Sequence, residues 1–278
     1  LTKNRGTGAY AATQRNVAQA AGVGDQVLDV GQGGQACGEC GDGRMLEPEE
    51  LIQDIAASLV PKRLAGHKVL ITAGPSFEAL DPVRGLANHS SGKMGFAIAA
   101  AARAAGGQVT LVAGPVHLPT PRGVQRINVQ SARDMLIAVQ SALEDVSIFI
   151  AAAAVADWRP ADFSTKKIKK DGSGAVPSLA FVENPDILAT VANSDRAQQG
   201  QLYCVGFAAE SDNLLAHASA KRVRKNVPLL VGNIGPATFG QDDNTLLLID
   251  VHGSSALPRA SKAQLGHALI AEIARRLP

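Results

Sequence analysis

From Lys68 onward, short apolar runs alternate with longer segments of helical period, and this alternation constrains the fold more than any other feature of the chain. Strands are expected at 68–73, 108–113, 125–128, 147–153, 179–182, 203–208, 228–232 and 245–250, and helices at 93–106, 131–143, 185–193, 212–225 and 261–276. Runs such as Val69-Leu70-Ile71 read as buried strands, and short apolar strands alternating with helices argue a parallel sheet covered on both faces. The expected architecture is α/β: a Rossmann-like, doubly wound, mostly parallel sheet with helices on both faces. Ser131 reads as a helix cap, and Ala105-Gly106-Gly107 as a helix stop. Only the 160–180 stretch breaks the rhythm. It is lysine-rich and glycine-dotted (Lys166-Lys167-Ile168-Lys169-Lys170-Asp171-Gly172) and predicts a mobile arm, either a flap or a hairpin.

The amino-terminal part differs in kind. Residues 1 to about 46 are rich in glycine and turns, with one helical patch at Thr13–Ala21, and too poor in core residues to fold alone. Glu47-Pro48-Glu49-Glu50 then opens a helix whose apolar face is Leu51, Ile55, Leu59 and Val60 and which Pro61 stops. The expected division is 1–50 and 51–278. A net charge of +2 argues against a polyanion partner, and one Trp with two Tyr make a poor stacking platform, so no nucleic acid is expected. Three cysteines make no disulfide framework, no signal peptide is seen, and the longest apolar run, Ile148–Ala156, is about half a membrane span. These features predict a soluble cytoplasmic protein with no membrane partner.

The richest candidate site is the polar stretch after the first strand of the alternating part. Its Gly74-Pro75 turn leads through Arg84, Asn88, His89, Ser90, Ser91 and Lys93, donors suited to a phosphate or carboxylate, into an alanine-rich helix. It is neither a G-x-G-x-x-G fingerprint nor a P-loop: Ala87 stands at the leading glycine position and Met94 at the magnesium-binding Ser/Thr. A ligand loop and a capped turn both remain open. Ile148–Trp158 (IFIAAAAVADW) runs from a strand through small residues to Asp157; helix–sheet packing explains the alanines but not the acid after them. Asn184-Pro185-Asp186-Ile187 fits a helix start with Asn184 as cap and Pro185 at the first position. Lys221 and Lys225 share a helix face, which is either solvated or waiting for a triphosphate. Cys37 and Cys40 form a C-x-x-C with no second pair at zinc spacing, readable as a reactive loop thiol or an incidental pair.

Together these pieces resemble one family. From about Leu51 the chain resembles the phosphopantothenate–cysteine ligase half of the bacterial bifunctional coenzyme A biosynthesis protein. The matching stretches are ITAGPSFEALDPVR, NHSSGKMGFAIA, GPVHLPTP, AAAVADWRP, KIKK, NPDILA, VGFAAE and KRVRKN, in family order. ATQRNVAQ and QACGECGDGRMLEPEE resemble the tail of the preceding decarboxylase half. That resemblance implies that Cys37 holds the position of the decarboxylase's proton-donating cysteine. Asn4 aligns with a family asparagine, but Leu1-Thr2-Lys3 and Thr7-Gly8 depart from the pattern. The FMN-binding core that would precede residue 1 is not in this sequence, so decarboxylation by this chain is not expected.

For the ligase, the resemblance implies joining of 4′-phosphopantothenate to cysteine with CTP, through an acyl-cytidylate. Asn88 would hold that intermediate, Arg84 would assist, and Lys167 would stabilise negative charge from the arm. Ala151, Ala152, Ala153, Asp157, Asn184, Pro185, Asp186, Ile187 and Phe207 would form the nucleotide pocket, with Lys221 and Lys225 on the triphosphate. Mg2+ would accompany CTP, and the ligase domain would form a homodimer. One departure is Gly232-Asn233-Ile234 where the family reads Ala-Asn-Asp. The competing reading, a nicotinamide-dependent reductase on the same scaffold, lacks its glycine fingerprint.

Overall fold

A computed structural model describes residues 11–25, 27, 28, 30–34, 40–169, 178–210, 213–234 and 240–277. The chain falls into two units, Leu1–Pro61 and Lys62–Pro278. In the first, α1 (Ala11–Gly22) covers the predicted helical patch and buries none of its residues. An antiparallel pair, β1 (Gly31–Gly34) and β2 (Cys40–Arg44), precedes α2 (Pro48–Ser58). Pro48 sits in the first turn of α2, and Glu50 returns its carboxylate to the Glu47 N–H at 3.0 Å, a capping box. The expected apolar face of α2 stays largely exposed at Ile55 and Leu59.

The second unit holds eight strands in one sheet, in the order β14-β13-β12-β11-β8-β3-β6-β7. The parallel strands are β3 (Lys68–Ala73), β6 (Gln108–Ala113), β7 (Gln125–Asn128), β8 (Ile148–Ala151), β11 (Tyr203–Glu210) and β12 (Leu229–Ile234). Between them run α3 (Lys93–Ala104), α4 (Ala132–Ala142), α5 (Ile187–Ala192), α6 (Asp195–Gln198) and α7 (Leu214–Lys225), and α8 (Lys262–Arg276) closes the chain. Numbered in chain order, the parallel strands lie 3-2-1-4-5-6, the doubly wound arrangement of dinucleotide-binding folds. The hairpin β13 (Asp243–Asp250) and β14 (Gly253–Ser261) adds an antiparallel edge. β14 carries Pro258 and is exposed along nearly its whole length, so no hydrophobic pattern announced it.

Leu70, Phe149, Cys204 and Leu230 pack on one face against Met135 and Val139 of α4, Val191 of α5 and Ala218 of α7. On the opposite face α3 lies against β3 and β6, with α8 packed on α3. Ile71, Ile148 and Ile150 are fully buried; such side chains contribute about 1.5–3 kcal/mol each. Ser131 caps α4 with a capping box through Asp134, and Gly106 follows the end of α3 at φ +91°. Among the described residues no helix is long and apolar enough to cross a membrane.

Two small hairpins complete the described structure. β4 (Phe77–Ala79) pairs with β5 (Gly85–Ala87), and β9 (Trp158–Pro160) with β10 (Phe181–Glu183). Both emerge at the carboxyl ends of β3 and β8, the neighbours between which the sheet reverses its winding. A crevice at that reversal is where doubly wound folds bind ligands.

Candidate active site

The segments leaving β3 and β8 are zipped together. The backbone N–H groups of Ala152 and Ala154 donate to the Thr72 and Gly74 carbonyls at 3.2 and 2.9 Å, and Ser76 N–H donates back to the Ala154 carbonyl at 3.2 Å. Two buried hydroxyls finish the seam: Thr72 Oγ1 accepts from Ala153 N–H at 3.3 Å and Ser76 Oγ from Ala156 N–H at 3.0 Å. Residues 148–151 alone are strand, shorter than the 147–153 expected: beyond them Ala152 and Ala153 both bond Thr72 near the end of β3, and Ala154 bonds the Gly74 turn. The turn needs its glycines. A Cβ on Gly114, at the end of β6, would lie 1.8 Å from the Pro75 carbonyl oxygen, and Gly92 caps α3 at φ +76°.

Asn88 reaches this seam from the end of β5. Its Nδ2 donates to the Ala154 carbonyl at 2.8 Å, joining the polar loop to the alanine run. The hairpin carrying Asn88 is anchored by Glu78, a buried acid whose Oε1 accepts from Ala132 N–H at the start of α4. Beyond Asn88, Ser90 Oγ accepts from Gly92 N–H at 3.4 Å, and Lys93 pairs with Asp242 at 2.6 Å.

Arg84 and the lysine arm meet on Asp81. This acid is 2% exposed, and its carboxylate accepts from the N–H groups of Val83 and Arg84, from Arg84 Nε and Nη2, and from Ile168 N–H. Arg84 Nη2 also donates to the Ile168 carbonyl at 2.6 Å. The Arg84 guanidinium, aided by those backbone donors and opposed by burial, holds the Asp81 carboxyl well below the usual carboxylate range. Lys167, exposed, immediately precedes the clamped residue.

A second cluster lies along the strand reversal. Asn184 N–H donates to the Asp157 carbonyl at 2.8 Å, and its side chain donates to the Ala156 carbonyl at 2.9 Å while accepting from Arg159 at 3.2 Å. The helix expected at 185–193 spans Ile187–Ala192, and its cap is Asp186, which accepts from Ala189 N–H at 2.9 Å. Asn184 is not the cap, and Pro185 precedes the helix. A residue before proline is held extended, and the amide of Asn184 is committed to residues 156 and 159. Lys225 forms an ion pair with Asp186, and its side chain is only 16% exposed, so it is no solvated face. Burial pulls the Lys225 ammonium below its ordinary value, opposed by the charge of Asp157. Lys221 lies one turn earlier on α7, Ile187 is buried, and half-buried Phe207 stands in β11 one position past the partner of Ala151.

The geometry thus brings Asn88 to Ala154, Arg84 to the arm beside Lys167, and Asp157, Asn184, Asp186 and Lys225 together. Cys37 lies outside the described residues. Residues 64–277 match the family model described as the DNA/pantothenate metabolism flavoprotein C-terminal domain. The chain belongs to that family. It is 47% identical over 262 residues to the coenzyme A biosynthesis bifunctional protein CoaBC of Vibrio cholerae, covering 93% of this chain and 65% of that protein. To CoaBC of Escherichia coli K12 it is 45% identical over 271 residues, 96% of this chain and 66% of that protein. The chain therefore spans about two thirds of the length of these curated relatives. A crystal structure of the C-terminal domain of CoaBC superposes with a TM-score of 0.65 at 34% identity, covering 78% of this chain and 98% of that one. A Cab2 mutant in complex with phosphopantothenate-cysteine (TM-score 0.62, 17% identity, 82% and 91% covered) shares the fold.

Within this flavoprotein C-terminal domain family the reductase alternative finds no support. Sequence reasoning passed over Thr72, Ser76, Asp81, Arg159 and Asp242. Asp81-Pro82 before Arg84 carries a turn signature, but the reach of Asp81 to a residue 87 positions away leaves no local trace. Among the described residues no three His, Cys, Asp or Glu side chains cluster as a metal cage. A cavity of about 920 Å3 opens at the amino-terminal ends of β3 and β6, the opposite end of the sheet, and none of the predicted site residues lines it.

Proposed function

We propose that this chain is a CTP-dependent phosphopantothenate–cysteine ligase acting in coenzyme A biosynthesis, with the ligase domain at 51–278 and residues 1–50 as the tail of a decarboxylase half. The observation that carries the proposal is Asn88 donating to the Ala154 carbonyl in the crevice between β3 and β8. A carboxylate is a poor electrophile until one oxygen becomes part of a good leaving group. The 4′-phosphopantothenate carboxylate oxygen attacks the α-phosphorus of CTP, and pyrophosphate leaves. The amine of cysteine then attacks the acyl carbon, CMP leaves with the C–O electron pair, and the nitrogen loses a proton as the amide forms. No protein nucleophile is required, so the residues work by position and charge.

In this reading Lys225 exchanges Asp186 for phosphate oxygens, with Lys221 beside it. Asn88 holds the acyl-cytidylate against the alanine run, and Arg84 and Lys167 offset charge from the arm side. Magnesium needs only one or two carboxylates when it arrives on a triphosphate, and the donor set of Asp157 and Asp186 suits that; it would supply charge neutralisation of the phosphates. FMN would belong to the decarboxylase core alone. The arm exposes Trp158, Phe163 and Phe181, an apolar surface that supports a homodimer through the ligase domain. A cytoplasmic location follows from the proposed substrates.

The test is pyrophosphate release with CTP and ATP side by side, with and without 4′-phosphopantothenate and cysteine. Release that needs CTP and 4′-phosphopantothenate, with amide formed only when cysteine is added, is expected. Turnover of CTP without 4′-phosphopantothenate, or none at all in folded protein, refutes the proposal.

A further inference from the structure

We infer that Asp81 is a positioning residue: its buried carboxylate latches the base of the lysine arm to Arg84 and so sets where Lys167 stands. Its relevance to catalysis rests on the proposed ligase reading, but the latch itself does not. Asp81 Oδ1 accepts the N–H groups of Val83 and Arg84 at 2.8 and 2.9 Å, closing the β4–β5 turn. Oδ2 accepts Arg84 Nε and Nη2 at 3.0 and 2.6 Å and, from 87 residues away, Ile168 N–H at 3.1 Å. Since Arg84 Nη2 donates to the Ile168 carbonyl, the acid–guanidinium pair holds both polar groups of one arm residue, as a neighbouring strand would. A further pair of contacts shapes the approach: Ser164 N–H donates to the Leu80 carbonyl at 3.1 Å, and Ser164 Oγ to the Lys166 carbonyl at 2.6 Å. Ile168 is half buried in this clamp, while Lys167 and Lys169 on either side are exposed.

Closing the turn needs only Oδ1. Oδ2 is spent on the arm and on the side chain that grips the arm, which is why the latch is more than a turn device. The chemistry also demands an ionised carboxylate, because all five groups facing it are donors. An amide at this position would turn an N–H2 toward donors on one side. Arg84 thereby acquires a second task, holding the arm, beside the one its position on the loop suggests.

The test compares Asp81→Asn and Ile168→Pro with the parent chain. The first replaces one of the two acceptor oxygens with a donor; the second removes the arm's N–H donor, together with the Ile168 side chain, and leaves the hairpin's own residues unchanged, so it decides the matter if Asp81→Asn fails to fold. Limited trypsin cleavage after Lys166 and Lys169, bonds that neither substitution makes resistant, followed by mass spectrometry, should accelerate on the order of tenfold or more in both variants, as loss of a hydrogen bond to a charged group implies. Unchanged cleavage in both overturns the latch, whether or not the parent proves to be a ligase. In a parent that does release pyrophosphate, both variants should lower kcat with a smaller change in the KM for CTP. Faster cleavage with parental kcat overturns the positioning role. An inactive parent with faster cleavage in the variants refutes the ligase reading and leaves the latch standing.

Discussion

Replacing Gly114 with alanine tests whether the turn between β3 and the seam is as tightly built as it looks. The new Cβ would start 1.8 Å from the Pro75 carbonyl oxygen and 2.9 Å from its carbon, whereas ordinary contact begins near 3.4 Å. Both atoms are backbone, so no rotamer change relieves the overlap. Pro75 is also bridged to Ala154, and its ring fixes φ. The overlap therefore has to be relieved by moving the Gly74–Pro75 turn or the end of β6 by more than an ångström. Overpacking of this kind costs about 3 kcal/mol, the upper part of the usual range. For a unit of this size that lowers Tm by roughly 6–12 °C. Urea denaturation followed by far-ultraviolet circular dichroism should show a lower midpoint with an unchanged slope. Because the shift passes to Ala154, the carbonyl on which Asn88 rests, amide formation should fall further than pyrophosphate release. A Tm within about 2 °C of the parent, with ligation at the parental rate, would refute the reasoning.

Asn88→Asp sets an acceptor-only group against the Ala154 carbonyl; CTP-dependent pyrophosphate release should persist while amide formation is lost, measured by separating the two products. Lys225→Ala should raise the KM for CTP several-fold while leaving the melting temperature nearly unchanged, because Asp186 is exposed enough to be solvated and still caps α5. The Arg276 and Arg275 side chains hold the Glu272 carboxyl below its ordinary value, so their stabilisation is present above the usual carboxylate range and fades as pH falls through it. Arg276→Ala should accordingly cost about 1 kcal/mol at neutral pH, by urea denaturation, and the gap from the parent should close in acid. Burial pushes the Cys204 thiol up to about 12, and in a Cys37→Ser, Cys40→Ser background it should stay inert to a thiol reagent at pH 8 until the chain unfolds.

The central strands and most helices were legible because both signals are local. Val69–Ile71 and Ile148–Ile150 are apolar on both faces, and Ser131 with Asp134 caps its helix within four residues. β14 was invisible because its exposed edge needs no apolar pattern, and β4 and β9 because three residues are too few to show a period. At the site, Asn184 misled for a definable reason: it obeys every rule for a cap, but its amide found partners 25 and 28 residues away, and the next acid took the role. Asp81 was missed because its partner in the arm is remote. The resemblance supplied roles for Asn88 and Lys225 that spacing alone left open.

The position of β3 has a consequence for how the protein is made. Its first neighbour, β6, is the next strand of the same sheet to be made, but on its other side the Lys68 carbonyl waits for Ser147, 79 residues along the chain. A nascent or truncated chain ending before β8 would present a bare apolar strand edge in the middle of the future sheet, the kind of edge that recruits other chains. The crevice that holds Asn88 does not exist until that vacancy is filled. Translation pausing ahead of residue 148, or a stop there, should therefore yield an aggregating product rather than a weak enzyme.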